Sequence, residues 1–308
     1  MVNSKKIYKN FNIGSRYKNS IILIGNFDGL HKGHRKLFSL AKKYKKKYSS
    51  NIGVLTFEPM PKMFFNNNLK NFRISNLQQK INYLKDLNVD FLIIKKFDRK
   101  FSKIKSITFI KEILGKKLKP KFIFVSNNFR FGNKREGNVR QLIKFERIGG
   151  YKVIKPQPLL TSKKIASSSL VRKFLQKGEL EKANRILDRN WSIVGKVQKG
   201  RQLGKKIGFP TANIDIKNYI LACPGVYAVK VKGYDKNNYI KGIANLGYRP
   251  TFNGKKILLE VHLFNYSGNL YNKYLTVEFK RFIRKEKKFK NVDDLRKQIK
   301  TDLLMAKR

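Results

Sequence analysis

Short apolar runs alternate with amphipathic stretches through the first half of the chain. Ser20–Ile24, Asn51–Phe57, Phe91–Ile94, Lys121–Val125 and Tyr151–Ile154 read as strands. Between them, Lys32–Lys47, Leu77–Leu87, Ile107–Leu114 and Val139–Ile148 read as helices. In the second of these, Leu77, Ile81, Leu84 and Leu87 recur at three- to four-residue spacing. Gly149–Gly150 supplies a helix stop. Strands alternating with helices predict an α/β domain, a parallel sheet with helices on both faces. Two more helices, Ser167–Leu175 and Leu180–Leu187, follow on either side of Gly178.

After Arg189 the texture changes to short alternating segments: Trp191–Val197, Gly225–Val231, Ile240–Ala244, Ile257–Phe264 and Leu275–Phe279. Turn signals at Gly204, Gly208–Pro210, Pro224–Gly225, Asp235–Asn238 and Asn253–Gly254 separate them. This predicts an antiparallel barrel or sandwich. Val292–Ala306 closes the chain as a helix with Leu295, Ile299 and Leu303 on one face. No period of 20–50 residues recurs, which excludes a repeat array. The expected division is residues 1–186 and 187–308, and a length of 308 suits two domains.

Composition sharpens this picture in three ways. Hydrophobic residues at 41% can bury two cores, so the chain is not disordered. The single cysteine, Cys223, excludes a disulfide framework and a cysteine-based zinc site. No apolar run approaches the roughly 18 residues of a membrane span, and no secretory h-region opens the chain. A cytoplasmic, membrane-free protein is expected, with its oligomeric state left open. The net charge of +52 invites a nucleic-acid reading. Yet 54 of the 71 basic residues are lysines, they are spread over nearly every segment, and asparagine numbers 29. A phosphate-reading surface favours the planar fork of arginine. Drift toward an AT-rich codon pool is the better account, and no specific nucleic-acid partner is expected.

Candidate chemistry gathers at two places. Gly25-Asn26-Phe27-Asp28-Gly29-Leu30-His31-Lys32-Gly33-His34 follows an apolar strand and opens a helix. A helix amino terminus offers unpaired N–H groups and positive dipole to phosphate, and glycines permit close approach. His31 and His34, two of only three histidines, share one face of the first turn. Two imidazoles there can donate to oxygens that gain charge in phosphoryl or nucleotidyl transfer. A metal reading is weaker, since no third His or Cys accompanies the pair. The second place is Gly204-Lys205-Lys206-Ile207-Gly208-Phe209-Pro210-Thr211-Ala212-Asn213. Its backbone and Lys205 can cradle phosphates, and the Thr211 hydroxyl is a hard ligand suited to Mg²⁺. On its own it is more often a turn than a site, and it is not a Walker loop.

The first segment resembles the HxGH signature of the nucleotidyltransferase superfamily, and the chain as a whole resembles the bacterial bifunctional riboflavin kinase/FMN adenylyltransferases. Phe57-Glu58-Pro59-Met60-Pro61, Asn128-Phe129-Arg130-Phe131-Gly132 with Arg135 and Gly137, and Ser167-Ser168-Ser169 with Val171 and Arg172 are similar to segments of the adenylyltransferase half. GFPTAN at Gly208–Asn213, Pro224–Tyr227, Asn245–Phe252, Leu259–Leu263 and the Arg284-Glu286-Lys288-Phe289 run are similar to the kinase half. The resemblance implies a Rossmann-like nucleotidyltransferase domain followed by an antiparallel riboflavin kinase barrel with a C-terminal helix. It implies ATP as co-substrate, flavin as substrate and product, and Mg²⁺ as cofactor.

Residue by residue, the resemblance implies that His31 and His34 stabilise the transition state of adenylyl transfer. Gly25, Phe27, Asp28, Gly33, Asn128, Ser168, Ser169 and Arg172 would bind that ATP, and Phe129, Arg130 and Phe131 the flavin. In the kinase, Lys205, Gly208, Thr211 and Asn213 would bind ATP, the last two with Mg²⁺. Glu260 would be the catalytic base, with Arg284 and Lys288 on the flavin side; His262 carries no family role. There are departures. Ile165 stands where the family usually has arginine, with Lys163 and Lys164 nearby; Lys205 replaces a frequent arginine and Asn265 an aspartate. A chain retaining only one step, the kinase first, is the competing enzyme reading. A basic nucleic-acid module requires interleaved Arg and aromatics on one surface, which the scattered lysines do not offer.

Overall fold

The computed structural model describes the chain except residues 1–6, 67, 70, 162, 201, 203, 205, 206, 234–237, 252, 253 and 308, and the side chains of 249–251 and 254–256. It divides into two compact units. The first comprises Met1–Leu69 with Lys80–Ala166, the second Lys70–Gln79 with Ser167–Arg308.

The first unit is the expected α/β fold. Six strands, β1 (Ile7–Tyr8), β2 (Ile21–Ile24), β3 (Ile52–Glu58), β4 (Phe91–Lys96), β5 (Phe122–Phe124) and β8 (Lys152–Ile154), pair in the order β1-β4-β3-β2-β5-β8. Every pairing is parallel. Two short hairpins, β6 (Arg130–Phe131) with β7 (Gly137–Asn138) and β9 (Leu160–Thr161) with β10 (Lys164–Ile165), are additions that local pattern did not signal. A parallel sheet covered on both faces needs strands that are apolar throughout. β2 supplies this: Ile21 and Leu23 pack into one buried cluster with Leu37, Phe38 and Ala41 of the helix Lys32–Tyr48, and Ile22 and Ile24 into the other. The helical stretch expected at Ile107–Leu114 runs on through Phe109–Leu118 as a π-helix. The stretch expected at Val139–Ile148 breaks into Val139–Lys144 and Glu146–Gly149.

The second unit is a closed antiparallel barrel rather than a sandwich. Its strands are β11 (Ser192–Gln198), β12 (Ala212–Ile214), β13 (Gly225–Gly233), β14 (Ile240–Thr251), β15 (Gly254–Leu263) and β16 (Tyr274–Lys285). They close in the order β11-β12-β15-β14-β13-β16, with β16 returning to β11. Register shifts between β13 and β16 give the local twist that closure needs. Inside, Trp191 packs on Phe279 at 4.6 Å, and Tyr227 meets Phe279 edge-on at 5.1 Å. Tyr227 donates its hydroxyl to the Cys223 carbonyl, and burial pushes its pKa up. The final helix, Val292–Lys307, is fastened by Asp302, which is 2% exposed and takes three hydrogen bonds from Arg284 at 2.6–3.0 Å.

The inserted segment Lys70–Gln79 is integral to this unit. Trp191 donates its indole N–H to the Ile74 carbonyl at 3.0 Å, and Arg73 bridges Tyr219 in parallel. Gln79 is buried; its amide donates to the carbonyl and hydroxyl of Ser192 at 3.1 and 3.0 Å, and its carbonyl accepts from the Tyr219 hydroxyl at 2.5 Å. Replacing one member of such a network strands the others. Gln79→Leu is therefore expected to destabilise the second unit by about 2–3 kcal/mol. Urea unfolding followed by the fluorescence of Trp191, the sole tryptophan, measures this.

Candidate active sites

The sheet order places β2 between β3 and β5, so the chain leaves β2 toward one side and reaches β5 on the other. Ligands of open α/β sheets bind beyond the carboxyl ends of strands at such a reversal. Two of the expected segments lie there: the Gly25–His34 turn after β2 and the Ser126–Asn128 loop after β5.

The turn is tightly specified. Phe27, Gly29 and Leu30 all take positive φ, at 49°, 73° and 39°. That is costly for an aromatic and a leucine, and such strain clusters at functional sites. Both side chains are buried, Phe27 against Phe38 at 5.4 Å, and Asp28 is 4% exposed. His31 is the N-cap residue of the helix Lys32–Tyr48, with no side-chain cap hydrogen bond and no acidic residue in the first turn. The first turn of a helix and the positive end of its dipole favour an anion. His31 and His34 stack at 3.8 Å and 25°, and Phe27 supports His34 edge-on at 5.2 Å. Gly33 is required by close approach: a Cβ there would lie 2.8 Å from the Ala166 carbonyl oxygen and 3.1 Å from the His31 ring.

Across the switch point, Asn128 is exposed, its side-chain oxygen accepting from the Ser126 hydroxyl at 2.9 Å. Arg130 is exposed, whereas Phe131 is buried, stacked on Phe129 at 5.6 Å and against Phe109 at 5.3 Å. Phe129 and Arg130 are therefore the accessible members of the expected flavin set, and Phe131 backs them from the core. Ile165, in the family's arginine position, is 55% exposed on its hairpin.

Ser168, Ser169 and Arg172 belong to the second unit. Ser167 caps their helix, Ser168–Gln176, by accepting from the Leu170 amide at 3.2 Å. Arg172 donates to the Phe72 carbonyl at 2.8 Å and lies over the Phe72 ring at 3.7 Å.

In the barrel, register assembles the second constellation. Asn213 on β12 pairs with Glu260 on β15, and Glu260 pairs with Asn245 on β14. Paired residues of adjacent strands share a face, so the three form one row. Their neighbours Leu259, Val261, Ala244 and Leu246 are buried on the opposite face. Described residues before β12 make local contacts near this row. Phe209 donates its amide to the Gly204 carbonyl at 2.8 Å, and His262 holds the Pro210 carbonyl at 2.8 Å through Nδ1. Gly200 lies against Asn213, where a Cβ would meet the amide nitrogen at 2.1 Å. Gly208 takes φ 88° and is exposed. Lys205 lies outside the described residues.

Asn213 is 8% exposed, and its Oδ1 has no hydrogen-bond partner among the described residues. That amide oxygen and the hydroxyl of Thr211, two positions earlier in the chain, are hard-oxygen donors of the kind that Mg²⁺ takes. No group of three or more His, Cys, Asp or Glu gathers among the described residues, so a cage of protein carboxylates is not what this barrel offers. Arg284, expected at the flavin, directs its guanidinium to Asp302, and Lys288 is exposed. Sequence reasoning left Asn245 and His262 without a role; the pairing register is the signal that brings them to the site.

Comparison with known proteins matches two family models to successive parts of the chain. A family model described as FAD synthetase matches residues 14–170, and one described as riboflavin kinase matches 187–308. The bifunctional riboflavin kinase/FMN adenylyltransferase of Buchnera aphidicola subsp. Schizaphis graminum is 40% identical, over 94% of both chains. That of Escherichia coli K12 is 36% identical, over 93% of this chain and 91% of its own. A solved structure described as a macrolide-efflux protein from Streptococcus pneumoniae superposes with a TM-score of 0.87 at 28% identity, covering 98% of each chain. The efflux description is that protein's; among the described residues here, no helix is long and apolar enough to cross a membrane. With both family models matched in order and relatives of this identity aligned almost end to end, the chain belongs to the bifunctional riboflavin kinase/FMN adenylyltransferase family.

Proposed function

We propose that the chain phosphorylates riboflavin with ATP to FMN and then adenylylates FMN with a second ATP to FAD and pyrophosphate. The observation that carries this reading is the coexistence of two separate phosphate-handling constellations, one in each unit and each built on a different backbone device. The work is assigned to residues 1–186 for adenylyl transfer and 187–308 for the kinase, with the inserted segment Lys70–Gln79 supporting the barrel. The cytoplasm, where ATP is abundant, is the proposed location.

In the kinase step the riboflavin 5′-hydroxyl attacks the γ-phosphorus of ATP. Glu260 takes its proton, and the bond to the β–γ bridging oxygen breaks to release ADP. Thr211 and Asn213 would hold Mg²⁺, which when bound neutralises charge on the phosphates. In the second step a phosphate oxygen of FMN attacks the α-phosphorus of ATP, and the α–β bridging oxygen leaves with pyrophosphate. No protein nucleophile is needed. His31, His34 and the first-turn amides would stabilise charge gathering on the phosphate oxygens, with Gly25, Phe27, Asp28 and Gly33 shaping the turn. Asn128 is a further proposed ATP contact, and Phe129, Arg130 and Phe131 are the proposed flavin platform. In the kinase, Gly208 and Lys205 are assigned to the phosphates, and Lys288 with Arg284 to the flavin side.

Purified protein given riboflavin, ATP and Mg²⁺ is expected to yield FMN and then FAD on a chromatogram; FMN accumulating without FAD would contradict the bifunctional form. His31→Ala should lower FAD formation at least 100-fold and leave riboflavin phosphorylation within twofold of wild type, as removal of one charge-stabilising donor costs about that much. Glu260→Gln should do the reverse. Equal impairment of both steps by either change would show that the sites are misassigned. Thr211→Val should raise the Mg²⁺ concentration for half-maximal phosphorylation roughly tenfold, since one ligand is lost. An unchanged Mg²⁺ dependence would remove Thr211 from the metal site.

A further inference from the structure

Lys80 is 2% exposed, in a chain whose other lysines mostly lie at the surface. Burying an ammonium is expensive, so a lysine kept inside is held there by what its donors bind. Its Nζ donates to the Asn26 carbonyl at 3.2 Å and to the Thr56 hydroxyl at 3.3 Å. The Thr56 hydroxyl itself reaches the Asn26 carbonyl at 3.4 Å. Asn26 is the second residue of the phosphate turn, and Thr56 lies near the carboxyl end of β3, the strand beside β2. The side chain thus braces the ligand edge of the sheet from beneath.

The helix Leu77–Asp86 presents this lysine in a fixed phase. A reciprocal capping box starts it: Gln79 donates its amide to the Asn76 side chain at 2.8 Å, and Asn76 donates its own to the Gln79 side chain at 3.0 Å. Lys80 is the next residue. The consequence for the turn follows from peptide geometry. In a trans peptide the carbonyl and the following N–H point in opposite directions. Holding the Asn26 carbonyl toward Lys80 aims the Phe27 N–H away from it, and the same constraint keeps Phe27 at its unfavourable φ of 49°.

We propose that Lys80 is a positioning residue for adenylyl transfer: by bracing the Asn26 carbonyl and the Thr56 hydroxyl, it fixes the Asn26–Phe27 peptide so that the turn is preorganised for the triphosphate of ATP. The inference rests on the reading of this turn as the ATP site of the adenylyltransferase. It concerns binding of the nucleotide, so it predicts a change in affinity rather than a loss of active protein.

Lys80→Met in the full chain tests it, with Thr56→Val as a second, milder variant. In FMN adenylylation, Lys80→Met should raise KM for ATP at least fivefold and Thr56→Val two- to threefold, with the combined variant no worse than Lys80→Met alone. Riboflavin phosphorylation should stay within twofold throughout. A fall in kcat at unchanged KM for ATP, or equal loss of both activities, would mean a merely structural lysine and overturn the proposal; so would wild-type behaviour. Calorimetry with α,β-methylene-ATP supplies a readout independent of turnover. Wild type should bind two equivalents, and Lys80→Met should weaken one of them at least fivefold. If the wild-type chain makes no FAD yet binds two equivalents, the reading of the activity fails while the binding comparison still decides the role of Lys80. Two equivalents bound unchanged by Lys80→Met would reject it.

Discussion

Parallel pairing of β2 between β3 and β5 is the constraint on which the proposed adenylyl site depends. It fixes the direction of the chain as it leaves Ile24, and so fixes where the first amides of the helix Lys32–Tyr48 point. The cluster of positive φ values at Phe27, Gly29 and Leu30 exists because the chain must turn within a few residues from strand to helix at that edge. The apolar residues on both faces of β2 hold the strand rigid, so the strain is borne by a braced element rather than relieved by its movement. The histidine pair is then carried into place by helix geometry alone.

The proposed phosphate site of the barrel rests on a different device. There, antiparallel register lines up Asn213, Glu260 and Asn245, and His262 holds the Pro210 carbonyl. A short strand of three residues, β12, is enough because its two neighbours in the closed barrel hold it on both sides. The buried Asn213 oxygen, with no hydrogen-bond partner among the described residues, departs from the rule that buried polar atoms are paired.

Much of this was legible in the sequence because it is local. Apolar runs gave five of the six parallel strands, with the two-residue β1 missed, and alternation gave five of the six barrel strands, four of them shorter than they are. β12 was missed because it is brief and embedded in turn residues, so Ala212–Ile214 shows no periodicity of its own. The sequence expectation of an antiparallel barrel or sandwich left open what only long-range pairing decides: closure by β16 onto β11. The membership of Lys70–Gln79 in the second unit is likewise invisible locally, since Trp191 and Ser192 lie more than a hundred positions away. Arg284 reads as a ligand-side cation in sequence; its partner Asp302 lies on a helix whose docking no local pattern predicts. Lys80 is hidden for a different reason. In a chain with 54 lysines, one more carries no signal until its burial is seen.

The proposed function requires that two distinct phosphorus atoms of ATP be attacked at two distinct places in one chain. Following the fate of label from [γ-³²P]ATP and [α-³²P]ATP in parallel reactions with riboflavin tests it most directly. FMN is expected to carry γ-label, and FAD both γ- and α-label. α-label in FMN, or FAD lacking either label, would contradict it.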